Sequence, residues 1–273
     1  MQLSHTAAAV SAVFDEPNLV SAAGLVPLLA LADRAGLRML ADQHLSVATD
    51  KGAHAGLKVA SLVGGMVAGA DSIDDMAVLR HGGMGRIFAR AYAPSTLGSF
   101  LRAFTFGHVR QLDAVASRFL VSLAEQTPLI HHDDKPVLVD IDDTIIEVHG
   151  YAKQGSGYGY SGVRGLNALL ATVTTGSAPV IVAQRLRKGA CGSPRGAARL
   201  VADALRTVTH LTPGVRPLLR ADSAFYGQPT VSAAVTGGAD VSVTVRLDPR
   251  VRAAIAAIPD DSWQTIEPVK LSV

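Results

Sequence analysis

PVLVDIDDTIIEVHG, residues 136–150, sets three aspartates in an apolar run and closes on a threonine and a His-Gly pair. Val137 to Asp143 reads as a buried strand, because β-branched residues crowd a short segment bounded by polar chain. An ionised carboxylate in such a run is costly unless something cationic compensates it. Strand alternation puts Asp140, Asp142 and Thr144 on one face and Asp143 on the other.

Downstream, the pattern continues in short elements. A Gly/Tyr-rich loop (150–165) precedes LNALLATVTT (166–175), a turn, and PVIVAQRLR (179–187), which read as a hairpin. SPRGAARLVADALRTV (193–208) reads as a helix, with Ser193 as candidate cap and Pro194 at its first position. VRPLLRADSAFYG (215–227) supplies a strand ending at Asp222, followed by a short helix, a strand over 239–247 and a further helix. This order, strand, hairpin, then alternating helices and strands, predicts an α/β mixed sheet with flanking helices over 136–273. Residues 1–130 read as an all-helical region: apolar residues recur at three- and four-residue steps through 24–45, and Pro94-Ser95-Thr96 is a helix start. Arg80, Arg86, Arg90, Arg102 and Arg110 make this region a candidate DNA-binding module or, equally, a bundle packing on its neighbour. The polar break TPLIHHDDKP separates the two parts. Its His131, His132, Asp133 and Asp134 have ligand chemistry, but adjacent residues in extended chain point apart.

Charged residues are 18% of the 273 and apolar residues 48%, the balance of a folded chain rather than a disordered one. The formal net charge of +2 conceals a local excess. From Gly150 to Arg220 the only acid is Asp203, against Lys153, Arg164, Arg185, Arg187, Lys188, Arg195, Arg199, Arg206, Arg216 and Arg220. Such a run favours an anionic partner, nucleic acid above all, over a merely solvated surface. A single cysteine, Cys191, excludes an intrachain disulfide or a thiolate zinc site and suits a cytoplasmic protein. The N-terminus lacks a basic leader, and the longest uncharged stretch is broken by TTGSAP, so no membrane helix is expected.

Two chemistries compete for the aspartates. VLVDIDDTI resembles the haloacid dehalogenase-like phosphatase pattern, which would make Asp140 a nucleophile and Asp142 a general acid, with Mg²⁺ bridging a carboxylate and the phosphate. The later partners of that pattern are missing: the only late Asp pair, Asp260-Asp261, follows a helix. The other chemistry is a two-metal nuclease, in which strand carboxylates share divalent ions with an aspartate at the end of a neighbouring strand. RADS supplies that residue at Asp222.

The segments 140–172, RLRKGACGSPRGA (185–197) and LRADSAFYG (219–227), in this order and spacing, resemble the DDE transposases of bacterial insertion sequences, in particular the 1380-type family. That resemblance implies an RNase H-like core and Mg²⁺-dependent cleavage at terminal inverted repeats, with Mn²⁺ as a substitute. It also implies strand transfer into target double-stranded DNA, a homodimer, and a nucleoid-associated place in the cytoplasm. It assigns Asp142 and Asp222 as catalytic and metal-binding residues, with Asp140 a further candidate ligand or supporting neighbour. Arg185, Arg187, Lys188 and Arg195 around GACGS, and Arg164 with Tyr158 and Tyr160, become candidate DNA contacts. The family's third acid, a glutamate on a late helix, has one candidate here, Glu267, beside Pro268 and in no convincing helix. The expectation is therefore a C-terminally truncated transposase, weak or inactive in strand transfer, with a non-catalytic DNA-binding remnant as the alternative.

Overall fold

The computed structural model describes residues 16–48, 50–88, 90–130, 136–149, 153–175 and 178–264. The chain divides into two compact units, Met1–His131 and His132–Val273.

The first unit is helical: α1 (Leu25–Arg34), α2 (Leu37–His44), α3 (Ala55–Val67), α4 (Pro94–Arg102) and α5 (Phe106–Gln126), with 3-10 segments at Asp74–Arg80 and Gly82–Arg86. The helix that starts at Pro94 ends at Arg102, and a second begins at Phe106. The Thr105 hydroxyl and the His108 ring reciprocally cap the start of α5 and reset the chain there. Leu37, Ala41, Val59, Leu62, Phe100 and Val115 form the core. One charge lies inside it. Lys58, 5% exposed, donates to the Lys51 carbonyl at 2.6 Å and stands 5.2 Å from the Phe100 ring. Burial pulls its pKa below the usual lysine value, against the opposing charge of Asp50.

The second unit holds β1 (Leu138–Glu147), β2 (Gly157–Tyr158), β3 (Arg164–Val173), β4 (Val180–Lys188), α6 (Ala197–Leu211), β5 (Leu218–Ala221), α7 (Gln228–Thr236), β6 (Asp240–Val243) and α8 (Pro249–Ala256). β1 pairs β3 antiparallel on one side and β5 parallel on the other; β6 extends the sheet parallel to β5, and β4 pairs the far edge of β3. An antiparallel meander followed by parallel strands on the opposite side of β1 is the RNase H-like arrangement. α6 packs on β3 and β4, and α7 on α6 and β6. Leu200, Val201, Ala204, Leu205 and Val208 give α6 its buried stripe, at the spacing of one helical face.

Two local readings differ from the sequence expectation. α6 begins at Ala197 after a left-handed Gly196, so Ser193 is not its cap. The Gly-rich loop contributes the short strand β2, whose Gly157 pairs with Gly165. Three glycines meet there: a Cβ on Gly189 would lie 2.1 Å from the Gly165 carbonyl oxygen and 2.4 Å from that of Gly157. The glycines let three backbones approach where any side chain would separate them.

Candidate active site

The central strand β1 alternates strictly at its start. Val139 and Ile141 are buried, and Asp143 continues their face into the interior. On the opposite face stand Asp140, half-buried, and Asp142 and Thr144, both exposed. Each of the three aspartates meets its desolvation differently.

Asp142 is left to water, and its Oδ1 accepts from the Asp143 amide at 2.8 Å. The parallel ladder between β1 and β5 ends with Ile141 opposite Ala221. Asp142 continues β1 and Asp222 is the first residue after β5, each one position beyond that last register pair. Asp222 remains extended (φ −80°, ψ 179°), is exposed, and its Oδ1 accepts from the Ala224 amide at 2.9 Å, which starts the turn Ser223–Phe225. Two exposed carboxylates, one in the middle of β1 and one just past the end of β5, offer hard oxygen donors, which suits Mg²⁺, an ion commonly held by one or two carboxylates and otherwise by water. Among the described residues no group of three or more His, Cys, Asp or Glu assembles. Glu267, and His131 to Asp134, lie outside the described residues.

Asp140 is compensated by a cation. Arg220 donates through Nε to its Oδ1 at 2.6 Å and through Nη2 to its Oδ2 at 2.7 Å, a two-pronged contact from the neighbouring strand. The Thr174 hydroxyl donates to Oδ2 at 2.7 Å from just beyond β3. Burial pushes the Asp140 pKa up, but these bonds and the arginine charge outweigh it and hold the carboxyl below the ordinary aspartate value. Arg220 is raised in turn by its bonds to Asp140.

Asp143 is compensated most completely. Its carboxylate accepts from Arg187 Nη2 at 2.8 Å, Asn167 Nδ2 at 2.6 Å and the Ser193 hydroxyl at 3.0 Å, with the acid and the arginine side chains only 6% and 9% exposed. Arg187 also reaches the carbonyls of Ser193 at 3.0 Å and Arg195 at 2.5 Å. The Ser193 hydroxyl thus serves Asp143 rather than a helix end. Asn167 was passed over in the sequence although it carries a signal, since an amide inside LNALLAT must find a partner once buried. Thr174 and the pairing role of Arg220 had no such signal.

The candidate DNA contacts separate into two sets. Arg187 is committed inward to Asp143, and Arg185 to Asp203 on α6. Asp203 also pairs with Arg199 and Arg206, Asp240 with Arg216 and Asp140 with Arg220, so much of the basic run is neutralised internally. The guanidiniums of Arg185 and Arg187 are thus turned to carboxylates. Arg164, half-buried, donates to the Ser156 hydroxyl. Lys188 and Arg195 are exposed, as are Tyr158 and Tyr160. Trp263 is 56% exposed.

A family model described as transposase DDE domain group 1 matches residues 4–270. No curated protein sequence is significantly similar to the chain. Among solved structures, a piggyBac transposase synaptic complex with hairpin DNA aligns at 13% identity and a TM-score of 0.35, over 85% of this chain and 44% of the other. The Mos1 mariner paired end complex with Mn aligns at 12% identity and a TM-score of 0.29, over 73% and 64%. The chain thus spans less than two thirds of either.

Proposed function

From the premise that this chain belongs to the transposase DDE domain family, we propose that it is an insertion-sequence transposase whose Asp142 and Asp222 hold divalent metal for DNA cleavage and strand transfer. The observation that carries the reading is the parallel pairing of β1 with β5, with each of the two aspartates one position beyond its last register pair. When bound, Mg²⁺ or Mn²⁺ supplies activation of a water or a DNA 3′-hydroxyl and charge stabilisation of the leaving oxygen. The chain's own residues do the rest. Asp142 and Asp222 present exposed hard oxygens. Lys188 and Arg195 offer exposed cations to phosphates of double-stranded DNA, the transposon ends and the target. A homodimer pairing two ends belongs to the same proposal, as does action at the nucleoid. No helix among the described residues is long and apolar enough to cross a membrane.

The phosphatase alternative requires Asp140 as nucleophile. Its two carboxylate oxygens both accept hydrogen bonds from Arg220, which lowers their nucleophilicity and their access.

A Mn²⁺-dependent nicking assay on transposon-end duplex tests the proposal. Asp142→Ala and Asp222→Ala are each expected to abolish metal-dependent nicking, and cleavage that survives both changes overturns the assignment.

A further inference from the structure

Alternation along β1 gives the exposed face of this sheet a third carboxylate, Asp140, beside the two proposed to hold metal. Asp140 and Arg220 are paired across β1 and β5 two register positions before Asp142 and Asp222. Two residues of strand separate each from its aspartate, about 6.6 Å along the chain. The Arg220 guanidinium meets both Asp140 oxygens, at 2.6 and 2.7 Å, and Thr174 adds a third donor at 2.7 Å. A planar fork on a carboxylate satisfies both oxygens at once, which a lysine ammonium cannot do.

We infer that Arg220 is a positioning and specificity-determining residue that withdraws Asp140 from metal coordination and fixes the chain's cation site at Asp142 and Asp222. Arg220 acts in two ways. It occupies the oxygens that would otherwise turn toward a cation on this face, and its own charge opposes a cation seated lower on the sheet. The two-pronged bond also ties β1 to β5 two positions before the aspartates, so one residue sets both their register and their number. The inference rests on the transposase reading of Asp142 and Asp222.

Mn²⁺ binding to the 273-residue chain, followed by the electron paramagnetic resonance signal of free Mn²⁺, separates the two and needs no turnover. Arg220→Gln is expected to tighten Mn²⁺ binding by about tenfold, because a carboxylate is freed and a like charge removed. Asp140→Asn/Arg220→Gln changes no net charge and is expected to bind within about threefold of wild type. A brace with a purely structural role would not yield tighter binding. Should Arg220→Gln fail to fold, Arg220→Lys, which keeps the charge and loses the fork, is expected to bind between wild type and the Arg220→Gln value, and the double variant still reads the role of Asp140. The inference alone is overturned if the double variant loses Mn²⁺ as Asp142→Asn does, or if freeing Asp140 leaves binding no tighter. Undiminished Mn²⁺ binding by Asp142→Asn overturns the metal-site reading and this inference together.

Discussion

Asp140, Asp142 and Asp143 are near neighbours in sequence and have three different fates. One turns to an arginine on the next strand, one to water, and one into a buried network. The identity and spacing of the aspartates were legible, and so was the sharing of a face by Asp140 and Asp142. Their partners were not, because Arg220 lies 80 positions from Asp140 and Arg187 lies 44 from Asp143. The pairing of Asp140 has a consequence for acid stability. Its folded pKa lies below the ordinary value of 3.8, so the folded state binds protons less readily than the unfolded chain. Its contribution is complete above the unfolded pKa and is lost as pH falls through the lower folded value. Asp140→Asn is therefore expected to reduce stability at neutral pH and to flatten the decline below about pH 4. Urea unfolding midpoints between pH 2 and 6, on the order of five points, check this slope.

The loop between β4 and α6 is held by strand residues together with its own Ser193. Arg187 spans from Asp143 on β1 to the Ser193 and Arg195 carbonyls, so the loop that carries Arg195 is tied to the strand that carries Asp142. Arg187→Ala leaves the Asp143 carboxylate buried without its cation, and a loss of about 3–5 kcal/mol is expected. Thermal unfolding measures that loss. Gly189→Ala is expected to be disruptive for a different reason, since its Cβ would enter the space of two carbonyl oxygens. A drop in melting temperature with a separated β2 edge, seen as faster amide exchange at 157–165, is the expected result. At this scale the helices and strands were mostly readable from apolar periodicity. Missed were β2, which is two residues long, and the late start of α6, because in both cases contacts from elsewhere override local preference.

At the scale of the molecule, the basic run is the feature most changed by folding. Ten cations face one acid in the linear segment 150–220, yet Asp140, Asp143 and Asp240 reach in from outside it and Asp203 serves three arginines. The cationic surface left without a carboxylate partner is correspondingly narrower than composition implies. Lys188→Gln and Arg195→Gln are each expected to lower the salt dependence of duplex binding by about one unit of log K against log salt concentration. Arg199→Gln, beside Asp203, is expected to change that slope less. Fluorescence anisotropy across a salt series distinguishes them. The sequence by itself determined most of the element order and the mixed sheet, because hydrophobic periodicity and chain order are local properties. Only the tertiary structure decided which carboxylates are neutralised and which remain exposed. Charge compensation follows proximity in space, and the parallel register of β1 with β5 brings Arg220 to Asp140.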